Sequence, residues 1–204
     1  KFVRQEPGML ENALYINNGD LTFTESAAQY GINHDGHCTA ANFFDYDQDG
    51  DLDLYIGIEP HVLRHQKYDK NYVGDPEDET DRLFRNDGGT FTDVTKAAGL
   101  ENFNFTLAAT VSDVNHDGWP DMYVASDYEE PDYYYINNGN GTFTNRVHTA
   151  MRHISNFSMG VDIADYNNDG WQDLYVANER LYGNTMFKSN CDGTFTDIST
   201  ASSA

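Results

Sequence analysis

Asp165-Tyr166-Asn167-Asn168-Asp169-Gly170-Trp171-Gln172-Asp173, running on into Leu174-Tyr175-Val176, is the stretch on which the fold turns. Two other stretches stack on it without gaps. One is Asp45-Tyr46-Asp47-Gln48-Asp49-Gly50-Asp51-Leu52-Asp53, continued by Leu54-Tyr55-Ile56. The other is Asp113-Val114-Asn115-His116-Asp117-Gly118-Trp119-Pro120-Asp121, continued by Met122-Tyr123-Val124. In each, oxygen-bearing side chains fill positions 1, 3, 5 and 9, glycine fills position 6, and a short run of β-formers follows.

A second motif alternates with the first. Its copies are Tyr15–Thr24, Phe84–Thr92, Tyr135–Thr144 and Phe187–Thr196, and each carries an Asn-Gly or Asp-Gly pair, the strongest local hairpin signal. Phe23, Phe91, Phe143 and Phe195 are spaced by 68, 52 and 52 residues. The repeat is therefore about 52 residues, with about 16 more in its first copy. The segments Cys38–Phe44, Thr106–Ser112 and Ser158–Ala164 read as inner strands before the acidic loops. A short helical turn is expected near Lys96–Leu100.

Hairpin, inner strand, acidic loop and closing strand make four short antiparallel strands per unit. That is the content of a β-propeller blade. The expected fold is all-β, with propeller-like blades of four antiparallel strands and about three and a half repeats, open within one chain. As one array over 1–204, repeat A is 13–80, with an insertion at 59–81. Repeat B is 82–132, repeat C 133–184 and a partial repeat D 185–200. Residues 1–5, with Phe2-Val3, match a closing strand of a preceding blade. On this reading the carboxyl end carries a hairpin without partners.

Nine residues rich in carboxylate repel one another unless a hard cation binds. Side-chain oxygens at positions 1, 3, 5 and 9 with a backbone carbonyl at 7 suit Ca²⁺, and Gly at 6 permits the sharp turn. An EF-hand would need Glu at position 12 and flanking helices. Here position 12 is Ile56, Val124 or Val176, and the flanks are strands. The plain alternative is three solvated acidic turns. Three copies in register favour the metal, and their equivalence favours a structural role over a catalytic one. His61 and His65 have helical metal spacing, but Val62 stands where a zinc protease motif needs Glu, so they read as loop histidines. His34 and His37 read the same way.

The chain has 204 residues and a formal charge of −22, from 34 acidic against 12 basic side chains. That balance excludes a nucleic-acid footprint and docking on anionic membranes. Aromatic residues at 14% argue against disorder. No apolar run reaches the ~18 residues of a membrane span. The chain begins at Lys1, with no signal-like segment after it, which suggests a processed product or a piece of a longer protein.

The composite unit resembles the FG-GAP/VCBS repeats, the calcium-binding blades of integrin α-subunit propellers and of many bacterial surface proteins. Phe157–Asn178 is most similar to the cartilage acidic protein and ASPIC/UnbV relatives. The resemblance implies an extracellular, Ca²⁺-stabilised propeller for adhesion, recognition or assembly, without catalysis. Carried over, the ligands are Asp45, Asp47, Asp49 and Asp53; Asp113, Asn115, Asp117 and Asp121; and Asp165, Asn167, Asp169 and Asp173. The carbonyls of Asp51, Trp119 and Trp171 fill position 7. The Gly-Ala-Pro that ends many integrin-type repeats is replaced by Gly57-Ile58-Glu59, Ala125-Ser126-Asp127 and Ala177-Asn178-Glu179.

The unmatched ends suggest protomers that complete one another's blades head to tail, as a filament or ring. The alternative is a fragment of a larger propeller that binds protein or carbohydrate in adhesion, with Tyr128, Tyr133 and Tyr134 as a candidate surface. Cys38 and Cys191 are candidates for a disulfide, within the chain or between protomers. Asn104, Asn140 and Asn156 head glycosylation sequons. Nucleophile and phosphate-loop motifs are missing and most paired carboxylates are assigned to Ca²⁺, so no enzyme is expected.

Overall fold

The structure, a computed structural model, describes residues 11–60, 79–128, 130–179 and 183–199. Residues 1–5, the histidines His61 and His65, and most of the 59–81 insertion lie outside them. The elements run β1 (Tyr15–Asn17), β2 (Phe23–Glu25), α1 (Ala27–Tyr30), β3 (Cys38–Phe44), β4 (Asp53–Ile58), β5 (Arg82–Asn86) and β6 (Phe91–Asp93). They continue with α2 (Thr95–Ala98), β7 (Thr106–Ser112), β8 (Asp121–Ser126), β9 (Tyr133–Asn137) and β10 (Phe143–Asn145). Last come α3 (Val147–Ala150), β11 (Ser158–Ala164), β12 (Asp173–Asn178), β13 (Thr185–Ser189) and β14 (Phe195–Asp197).

Three antiparallel four-stranded sheets form, in the orders β3-β4-β5-β6, β7-β8-β9-β10 and β11-β12-β13-β14, and β1-β2 is a two-stranded sheet. The fold is the expected all-β array of open blades. Its phase differs from that of the sequence units. Each sheet joins the inner and closing strands of one unit to the hairpin of the next. One expectation is corrected by this. The carboxyl-terminal hairpin β13-β14 is not an orphan, because Leu174, Tyr175 and Val176 of β12 pair with Phe187, Met186 and Thr185. Among the described residues, the incomplete blade is at the amino end, where β1-β2 stands without inner strands.

The helical turn expected near residue 96 is α2. It starts where Asp93 Oδ1 accepts from Thr95 N at 2.9 Å and Thr95 Oγ1 at 2.7 Å, and stops at Gly99, held at φ +75°. The side chain before α1 and α3 does the same service, Glu25 for Ala27 N and Asn145 for Val147 N.

The core lies between blades rather than within one. Strand side chains alternate faces, so Met122 and Val124 of β8 pack with Tyr55 and Leu83 of the first blade. Tyr123, between them in sequence, packs with Leu174, Val176 and Phe187 of the third. Leu14, α1 with Ala27 and Tyr30, and Ile32 just after it cover Leu54, Ile56 and Phe84 from the other side. Inner strands also touch directly: Thr39 Oγ1 donates to Thr106 O at 2.6 Å, and Asn42 Nδ2 to Ala109 O at 3.2 Å. This stacking brings the three acidic loops to corresponding places on successive blades.

Candidate metal centres

Each acidic loop joins an inner strand to a closing strand and wraps on its own first residue. Asp45 accepts from the N–H groups of Asp49 and Gly50, both at 3.1 Å. Asp113 does so from Asp117 and Gly118 at 3.1 and 2.9 Å, and Asp165 from Asp169 and Gly170 at 3.1 and 2.8 Å. The position-6 glycines sit at φ +97°, +91° and +89°, a region that side chains with a Cβ rarely adopt.

The ninth residue is the deepest. Asp53, Asp121 and Asp173 are at most 1% exposed. One oxygen of Asp53 accepts from Tyr46 N in its own loop (3.0 Å) and the other from Asn86 N in the hairpin (2.8 Å). Asp121 bridges Val114 N and Asn137 N in the same way, and Asp173 accepts from Ser189 N. Loop and hairpin are thereby fastened through one carboxylate. Burial pushes Asp53 up to about 6 and Asp121 to about 7, against the backbone N–H bonds that oppose the rise.

In the first loop, oxygens of Asp45, Asp47 and Asp49 all lie within 4.8 Å of one another. Asp47 Oδ1 is buried without a hydrogen-bond partner. Burial and the charges of Asp49 and Asp45 raise the Asp47 carboxyl above its ordinary value, against the Asp49 backbone N–H, which opposes the rise. A buried, unpartnered acceptor among like charges is what a hard cation relieves, so these residues fit Ca²⁺. Asp51 turns its side chain away to accept from Gly88 N at 2.8 Å, in keeping with a backbone role at position 7.

The second and third loops have Asn115 and Asn167 at position 3, where the amide offers one oxygen and no charge. Asn115 Nδ2 donates to Asp117 at 2.8 Å, and Asn167 Nδ2 to Asp173 at 3.3 Å. Lys188 Nζ stands 3.5 Å from Asp169. The three loops are thus alike in backbone and graded in charge, with the first the most acidic.

A second set of acids carries no signal in the acidic motif. Asp81 and Asp132, just before β5 and β9, are fully buried. Asp132 accepts from Tyr123 OH, Ser126 N and Ser158 Oγ, each at 2.8 Å. Asp81 accepts from Tyr55 OH, Ile58 N, Asn102 Nδ2 and, at 2.8 Å, Thr106 Oγ1. Thr106 and Ser158 open the inner strand of the following blade, so each acid fastens one blade to the next. Burial raises both carboxyls, Asp132 to about 7. In the third blade Asn184 takes this place, accepting from Asn178 N at 3.1 Å. Aligning the units on Asp81, Asp132 and Asn184 would have flagged the position.

The other candidates separate. Asn104 is 1% exposed, and its amide bonds Ser126 Oγ, Pro131 O and Phe105 N. A glycan there is incompatible with this packing, which corrects its standing as a glycosylation candidate. Asn140 and Asn156 are exposed. Cys38, half-buried in β3, and Cys191, exposed in the β13-β14 turn, are both free thiols, so no bond joins them within the chain. Of the aromatic candidates, Tyr134 is buried and Tyr133 stacks on Tyr135 with ring centroids 5.2 Å apart. They serve packing. Tyr128 makes edge contacts with Phe105 and Phe157.

The family model for the FG-GAP-like repeat matches residues 3–56, 72–124 and 113–176. The chain belongs to the FG-GAP-like repeat family. A comparison with curated proteins found no match. Among solved structures, it is similar to an Agrocybe aegerita lectin whose description concerns specific recognition of non-reducing terminal N-acetylglucosamine. The alignment covers 93% of this chain and 62% of the lectin, at 16% identity and a TM-score of 0.35. The chain therefore spans less than two thirds of that lectin's length. No helix among the described residues is long and apolar enough to cross a membrane.

Proposed function

We propose that this chain is a non-enzymatic, extracellular repeat module in which three Ca²⁺ ions hold the acidic loops and whose role is structural. The observation that carries the calcium reading is the buried, unpartnered Asp47 Oδ1 inside a cluster of three carboxylates. The side chains of the second and third loops supply the same set with one fewer charge each. Filling all three would bring the formal charge from −22 to about −16. When bound, the ion neutralises the loop carboxylates. The chain's own contribution is to hold positions 1, 5 and 9 in place through backbone N–H bonds.

A separate observation favours assembly. Tyr46 and Tyr55 of the first blade, and Val114 and Tyr123 of the second, are at most 3% exposed, because the next blade covers them. Their counterparts in the third blade, Tyr166 and Tyr175, are 49% and 43% exposed, and Met159 of β11 is 50% exposed. At the amino end a groove of about 280 Å³ lies between β3 and the segment before it, lined by Leu14, Ala27, Ile32, Ala41 and Phe43, and Phe43 is 49% exposed. Protomers joining head to tail would cover these ends. Contact would be by blade faces rather than by a strand donated to the carboxyl-terminal hairpin, which already has its partners.

Light scattering in Ca²⁺ and in EDTA tests the reading. A mass at a multiple of 23.0 kDa in Ca²⁺, falling in EDTA, is expected. A 23.0 kDa monomer in Ca²⁺ would refute the assembly and point to further repeats as the cover.

A further inference from the structure

The acidic loops touch one another. Their position-4 residues, Gln48, His116 and Asn168, all sit in the left-handed region at φ +58°, +58° and +60°. From there the first two reach the loop of the next blade. Gln48 Nε2 donates to Gly118 O at 2.5 Å. The His116 ring stacks on Trp171, with centroids 4.1 Å apart and 8° between planes. Both targets belong to the neighbouring loop's ligand frame. Gly118 lies between Asp117 and Trp119. Trp171 is the position-7 residue itself, its N–H held by Asp169 Oδ1 at 3.0 Å. A further link ties the first loop to the second: Asn137 Nδ2 donates to Tyr46 O at 2.8 Å while Asn137 N donates to Asp121 Oδ1 at 2.9 Å.

We propose that the three loops bind cations as a coupled series, with His116 and Gln48 as the links. The inference rests on the calcium reading above. An ion ordering one loop fixes its position-4 residue, and that side chain then holds part of the next loop in its ligated shape. The second ion meets a loop whose ordering has already been paid for, so its affinity rises, and the effect must be reciprocal. The direction of the contacts, first loop to second and second to third, makes the middle loop the hub. Asn168 has no fourth acidic loop among the described residues to reach.

The test is calorimetric titration of the intact chain with Ca²⁺. Asp165→Asn disables the third loop, and the affinity of the remaining sites is read in two backgrounds. In the otherwise unchanged chain it should fall by about two- to tenfold, the range of an aromatic stacking pair. With His116→Asn, chosen because the third loop itself carries Asn at this position, Asp165→Asn should leave the remaining sites unmoved. His116→Phe, which keeps a ring, should restore the coupling. Equal effects of Asp165→Asn in all backgrounds, or none in any, would overturn the coupling while leaving calcium binding intact. Absence of any Ca²⁺ uptake would overturn the calcium reading and the coupling with it.

Discussion

Asp132→Asn is a sharp perturbation of the blade-to-blade fastening. The Asp132 carboxyl is buried among Tyr123, Ser126 and Ser158, and burial lifts it from 3.8 to about 7. Below pH 4 it is protonated in both the folded and the unfolded chain. Between about 4 and 7 only the folded chain keeps the proton, so stability falls as pH rises through that window and levels off above it. The whole swing corresponds to on the order of 4 kcal/mol. For a chain of this length that is about 8 to 16 °C in melting temperature. Asn has no carboxyl to titrate. Its oxygen can still accept from Ser126 N, as Asn184 does from Asn178 N in the third blade. Melting from pH 4.5 to 8, at saturating Ca²⁺ so that the loops stay filled, should show wild type losing stability toward high pH and Asp132→Asn much less. The difference between the two curves isolates Asp132 from Asp81, which is also raised by burial. Parallel curves would refute the reasoning.

Tyr123→Phe should cost about 1 to 2 kcal/mol, since it leaves Asp132 one donor short in the interior, while Tyr175→Phe on the exposed face should cost under about 0.5 kcal/mol in the monomer. Chemical denaturation of the two variants checks this pair, and equal losses would contradict the packing assigned to the blades. Expressed in a glycosylating host, the chain should carry sugar at Asn140 or Asn156 and none at Asn104 in the folded fraction, as read by glycopeptide mapping.

Much of this was legible in sequence because the determinants are local. The inner strands Cys38–Phe44, Thr106–Ser112 and Ser158–Ala164 fall where the repeat places them, and the loop glycines and Asn-Gly turns carry their conformations in their own residues. The phase of the blades was not legible. Whether the hairpin after Tyr175 joins β12 or opens a new sheet is a pairing across a connecting segment, and nothing local in Met186-Phe187 decides it. Asp132 was missed because a single acid ahead of a hairpin looks solvated until Tyr123 and Ser158 close over it. Asn104 was misjudged for the same reason, since a sequon is a three-residue pattern and its burial is set by Ser126 and Pro131.

Native mass spectrometry of the chain equilibrated with Ca²⁺ tests the central claim most directly. Three ions per chain are expected, with the first loop filled at the lowest concentration because Asp47 adds a charge that Asn115 and Asn167 lack. Asp47→Asn should delay the first uptake, and EDTA should remove all three ions together with much of the thermal stability. A chain that takes up no Ca²⁺, and melts at the same temperature with and without EDTA, would contradict the account.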